Sequence, residues 1–212
     1  MRTLLACALV ALSASASAAP APLATTRCAG PFATLAAACP GCGARDAIRK
    51  PPAPWLEVRV LTQGDLSRPP SRENVMHHYL AVRLASGWWT QEIGRDVDFE
   101  GAITTSFPRS PEARDVLPGA GAELTIEVGQ TTLVPSEDGT HPSQTDRRTM
   151  HICGVGPSGA PSCTSVETYW FAGRASGSRD TPVSFNKAGE IVVAGQIEGL
   201  PAKPRRYRVD FP

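Results

Sequence analysis

From Trp55 onward, apolar side chains recur at every second residue, and that period decides what the chain can become. In "WLEVRVLTQ", Leu56, Val58 and Val60 fall on one side, with Glu57 and Arg59 on the other. "HHYLAVRLAS" sets Leu80, Val82 and Leu84 against Tyr79, Ala81 and Arg83, and "AELTIEVGQ" sets Leu124, Ile126 and Val128 against Glu123, Thr125 and Glu127. Successive side chains of a strand point to opposite faces, so each run reads as a strand with one face on a core and the other in water. "RTMHICGV" and "SCTSVETYWFAG" are two further strands, joined by the turn-rich "GPSGAP". "TPVSFNKAGEIVVAGQIEG" reads as a hairpin turning at Asn186 to Gly189, and "RRYRVDFP" as a short last strand. Twenty prolines and 19 glycines give a turn density that disfavours long helices. The best short helix is "SPEARDVL", where Ser110 can cap, Pro111 occupies the first position and Glu112 complements the helix dipole. The expected fold is all-β: a single antiparallel β-sandwich or distorted barrel, with a short Cys-containing, partly helical N-terminal appendage.

The N-terminus carries a different message. "MRTLLACALVALSASASAAPAP" has one early charge, Arg2, an uncharged run from Leu4 to Leu12, and the small-residue site Ala16-Ser17-Ala18. That order is the pattern of a secretory signal peptide, with cleavage expected after Ala18 and Cys7 leaving with it. The apolar run is too short to span a bilayer, which takes roughly 20 residues, and no later segment qualifies. The expected organisation is therefore residues 1–18 as signal peptide, 19–54 as a flexible leader and Cys-bearing segment, and 55–212 as the β-sandwich. The expected location is periplasmic or extracellular, where disulfides persist. About 194 residues remain after cleavage, enough to bury close to 70% of the unfolded surface in one core.

Charge narrows the partners. Without Arg2 the chain has as many basic as acidic residues, and they are scattered. Nucleic acid and anionic membranes both require a basic face, so neither is expected as a partner.

Five cysteines survive cleavage. Cys153 and Cys163 lie on consecutive predicted strands and are expected to form a disulfide across a hairpin. The segment "CAGPFATLAAACPGCGARD" holds Cys28, Cys39 and Cys42. Its "CPGCG" resembles one knuckle of a zinc ribbon, over five residues. A structural zinc site needs four ligands, and no second C-x-x-C follows. A redox C-x-x-C belongs in a βαβ setting, which the pattern does not offer. A loop staple, Cys28 to Cys39 or Cys28 to Cys42, fits an oxidising compartment, and the odd count leaves one free thiol or one intermolecular bridge.

Three sets of residues are candidates for function. Adjacent Trp88 and Trp89 cannot both enter one core from one strand, so one of them, extended by Tyr79, could offer a flat ring to a sugar or a protein. His77 or His78, with His151, Asp96 and Asp98, could hold a metal, although neighbouring His77 and His78 face opposite ways on a strand. In "EIGRDVDFEG" Asp96, Asp98 and Glu100 could line one strand face and hold Ca²⁺ or supply an acid/base pair, but the simpler pattern puts Val97 and Phe99 inside and the three carboxylates in water. The motifs G-x-S-x-G, H-E-x-x-H, S-x-x-K and the P-loop are absent from the sequence. The expectation is an exported, non-catalytic binding or accessory domain without a cofactor, recognising a protein or an envelope or glycan ligand. The alternative is a metal-binding protein or metal-dependent enzyme built on the histidines.

Overall fold

A computed structural model describes residues 19–98, 102–117, 121–135, 143–172, 178–186, 188–197 and 200–212. The expected signal peptide, with Cys7, and Glu100 lie outside the described residues. The chain is nearly all β. The first elements are β1 (Ala21–Pro22), β2 (Thr26–Arg27), β3 (Ala29–Phe32), the helix α1 (Leu35–Ala38) and β4 (Gly43–Ile48). There follow β5 (Glu57–Gln63), β6 (Met76–Leu84), β7 (Gly87–Asp98), β8 (Ala102–Ser106), β9 (Glu112–Arg114) and β10 (Glu123–Val134). The last are β11 (Ser143–Val155), β12 (Pro161–Ala172), β13 (Ser178–Asp180), β14 (Val183–Phe185), β15 (Ile191–Ile197) and β16 (Leu200–Arg208).

Two sheets pack together without closing into a barrel. The first has the order β3-β7-β6-β5-β4. The second continues from the far end of β7 through β8, β10, β11, β12, β13, β15 and β16, with β2 on β12, β9 beside β8 along β10, and β14 on β15. Pairing is antiparallel except between β1 and β16. β7 is twelve residues long and belongs to both sheets, which lets one chain of hydrogen bonds turn the corner between them.

Alternation along the strands builds the interior. Val58 and Val60 of β5, Leu80, Val82 and Leu84 of β6, and Trp89 and Ile93 of β7 face Leu124, Ile126 and Val128 of β10, with Cys153 and Cys163. Leu56 precedes β5 and is exposed instead of joining them. The opposite faces are covered as well. Leu61, Ala81 and Trp88 pack under Cys39, with Phe32 and Leu35 alongside, and Ile152 and Val166 pack with Ile191, Val193 and Leu117. The Cys-bearing N-terminal segment is the lid of that outer layer. Thr34 caps α1 by accepting the Ala37 N–H at 3.1 Å. Gly30 must be glycine: its φ is +144°, and a Cβ there would stand 2.6 Å from the Trp88 carbonyl oxygen.

The segment read as a helix, "SPEARDVL", is extended. Glu112–Arg114 pair with Glu123–Thr125 of β10. The capping signals were real but short, and an available strand edge satisfied the backbone better than one isolated turn of helix.

Candidate functional site

Both tryptophans are buried instead of offering a ring at the surface. Trp88 is 7% exposed and Trp89 3%. The alternation argument holds, since the two rings enter different cores: Trp89 goes between the sheets and Trp88 goes under the N-terminal lid. The sequence reading lacked the second core, because it took the outer face of β6 and β7 to be wet. Tyr79 is half-buried in the same outer layer, its hydroxyl 3.4 Å from Gln63 Oε1. Burial, and then the nearby Glu92 carboxylate, push its phenol above the ordinary range.

The histidines and carboxylates separate. His77 is at the surface, 3.0 Å from Glu92 Oε1. His78 is 1% exposed and points inward, as opposite faces of a strand require. His151 is half-buried on β11, opposite Ile126, and desolvation pushes its imidazole down to about 4. Asp98 is exposed. Among the described residues no group of three or more His, Cys, Asp or Glu side chains converges to hold a metal.

Asp96 runs against the simpler pattern and is buried. The cause is a β-bulge. Tyr79 pairs with Glu92 and His78 with Gly94, so Ile93 is one residue too many on β7. One extra residue flips every later side chain to the other face. Asp96 therefore turns inward beside His78, with Oδ2 3.2 Å from Nε2. The approach is close but poorly aligned, so Nε2 gains an electrostatic contact without a well-directed hydrogen bond. Thr62 Oγ1 lies 3.0 Å from Nδ1 of the same ring, and Asp96 accepts the Thr105 N–H at 2.5 Å. Burial raises the Asp96 carboxyl, but the close His78 ring and the Thr105 hydrogen bonds outweigh it and hold the carboxyl below its ordinary value. This buried polar chain fixes the ends of β5, β6, β7 and β8 against one another. Thr62 and Thr105 were legible only as polar residues on an apolar face.

Beside this chain lies a strip of hollows. One of about 260 Å³ is bounded by Thr62, His78, Asp96, Met76 and Arg45. A second of about 260 Å³ shares Arg45 and is floored by Val60, Phe107 and Ile126. A third of about 440 Å³ adjoins it at Arg109 and Ser110 and runs to Met150 and Phe185. The strip has a structural origin. β8 pairs with residues 129–133 of β10 and β9 with 123–125, leaving 126–128 without a strand on that side. Pro108 and Pro111 sit in the connecting segment, and proline lacks the N–H that would let β8 continue into β9. Across the gap, β4 is the edge of the first sheet, and a register shift between Ala44 and Asp46 makes Arg45 its extra residue. The bulge carries the Arg45 guanidinium to 4.9 Å above the Phe107 ring. Neither Arg45 nor Arg109 is ion-paired with a carboxylate among the described residues. Nothing in the sequence brings Arg45 to Phe107 and Arg109, because the helix signals that start at Ser110 hide the strand edge beside them.

The cysteines depart from the expected staple. Cys39 and Cys42 are bonded to each other, their Cα atoms 5.6 Å apart across the end of α1. Cys153 and Cys163 are directly paired on β11 and β12 and bonded at 2.02 Å. Among the described residues Cys28 is the free thiol, buried where its N–H binds the Pro161 carbonyl at 3.0 Å beside the inner core.

Fold and site together define a two-sheet, all-β, disulfide-bearing domain with a polar inner chain and an arginine-rimmed strip. No protein-family model, curated protein or solved structure matches the chain. Among the described residues, no helix is long and apolar enough to cross a membrane.

Proposed function

We propose that the chain is an exported, non-catalytic binding domain whose ligand occupies the strip between β4 and the 107–111 segment. The observation that carries this is a pair of guanidinium groups without carboxylate partners among the described residues, Arg45 stacked on Phe107 and Arg109 lining the same hollow, whose floor is Val60, Phe107 and Ile126. Ligand sites are concave, mostly apolar and of roughly 300–1,000 Å³, with a few placed polar groups. The 440 Å³ hollow fits that description, and the 260 Å³ hollow adjoining it extends the strip toward Arg45. The ligand chemistry that suits them is a carboxylate beside an apolar group, as in an acidic peptide segment of a protein partner. Export is supported by the disulfide-distance cysteine pairs, which fit an oxidising compartment.

An array of acidic, neutral and basic peptides, with a glycan array as the second arm, tests this. Acidic peptides with an apolar neighbour should bind, and each of Arg45→Ala and Arg109→Ala should weaken them about tenfold, as loss of a charge-assisted hydrogen bond implies. Trp88→Ala should lower stability by about 3–5 kcal/mol through its cavity. Binding confined to glycans, or unchanged by both arginine substitutions, would overturn the proposal.

A further inference from the structure

Three sulfur atoms meet in the inner core. Cys153 and Cys163 are bonded, and the Cys28 sulfur stands 3.7 Å from the Cys163 sulfur, buried in the same cluster. Van der Waals contact between a thiol and one sulfur of a disulfide is the arrangement from which thiol–disulfide exchange starts. Two independent backbone pairings hold the group together. β11 and β12 place Cys153 opposite Cys163, and β2 pairs Thr26 with Cys163 while the Cys28 N–H binds Pro161. We propose that these three cysteines form an internal exchange switch, in which Cys28 displaces Cys153 from Cys163 and locks the N-terminal segment to β12.

The step balances within the chain. The Cys28 thiol loses its proton and the thiolate attacks the Cys163 sulfur. A Cys28–Cys163 bond forms as the Cys153–Cys163 bond breaks, and Cys153 leaves as a thiolate that takes up a proton. One disulfide and one thiol exist before and after, so no oxidant or reductant is consumed. In the first state the N-terminal segment is held to β12 by hydrogen bonds and packing, without a covalent bond. In the second it is held covalently, and a hairpin bridge on β11 is released. Burial pushes the Cys28 thiol up to about 12, so exchange waits on a local opening that exposes it.

The test uses the full secreted chain. It is held near neutral pH in urea below its unfolding transition, quenched with acid at intervals, alkylated, and mapped as non-reduced peptides. Alkylation should move from Cys28 to Cys153 as a Cys28–Cys163 peptide appears, with one thiol per chain throughout. Cys28→Ser should keep Cys153–Cys163 beside Cys39–Cys42 and form no new bridge. Cys153→Ser, folded in air, should form Cys28–Cys163 and leave no reactive thiol. Cys28 remaining the sole alkylated residue after prolonged incubation, with two free thiols persisting in folded Cys153→Ser, would overturn the proposal. If Cys153→Ser does not fold, the wild-type time course decides alone.

Discussion

His151 is the residue whose chemistry reaches furthest from its place in the fold. It faces the inner core from β11, opposite Ile126, and its imidazole is pushed from 6.5 down to about 4 by desolvation. In the unfolded chain it takes up a proton near the ordinary value, so on acidification the unfolded state charges first. Stability associated with His151 is therefore complete above about pH 6.5 and falls as the pH drops toward 4. The slope cannot exceed about 1.4 kcal/mol per pH unit. Glu123 acts in the opposite sense. It is fully buried, its Oε2 accepts the Val116 and Leu117 N–H groups at 2.9 and 3.2 Å, and burial still raises its carboxyl above the ordinary value. A folded state that holds its proton more tightly is favoured as the pH falls. Comparing urea titrations of wild type and His151→Leu between pH 7 and 4 isolates the histidine. The wild type should lose stability relative to the variant, and parallel curves would remove the buried neutral imidazole from the account.

At the scale of elements, the decisive feature is the bulge at Ile93. It keeps Trp89 and Ile93 in the inner core and also brings Asp96 inside, which a regular β7 could not do. Deleting Ile93 should straighten β7 and leave Asp96 inside beside His78, because Gly94 would then follow Glu92 in regular register with His78 and Tyr79. A loss of about 2–5 kcal/mol in urea unfolding is expected, because the buried Ile93 side chain is removed from the inner core. Gly94→Ala is the milder probe. Its Cβ would stand 2.9 Å from Thr105 Cγ2, so crowding of the β7–β8 contact should cost about 1–3 kcal/mol. An unchanged midpoint in both variants would contradict the bulged register.

The bulge also marks how far the sequence could be read. The period-two runs announced β5, β6, β10, β11 and β12, because each has a continuous alternating face. They could not announce the flip of Asp96, because an inserted residue has no signature until the partner strand is known. The tryptophans failed for a related reason: alternation told that they part company, but only the N-terminal lid shows that both sides are dry. Arg45 and Phe107 were illegible because a bulge and a proline-broken strand, distant in sequence, bring them together.

At the scale of the molecule, three apolar layers alternate with two sheets, and the arginine-rimmed strip proposed for recognition lies where the second sheet is interrupted. Everything functional in the account rests on that partition between dry tryptophans and an open strip. Hydroxyl-radical footprinting of the folded chain, read residue by residue by mass spectrometry, measures it directly. Trp88 and Trp89 should oxidise as slowly as Trp55, which is 2% exposed, while Phe107 and Pro108 oxidise readily. Fast oxidation of either Trp88 or Trp89, with Phe107 protected, would place the contact surface back on the tryptophans and contradict the account.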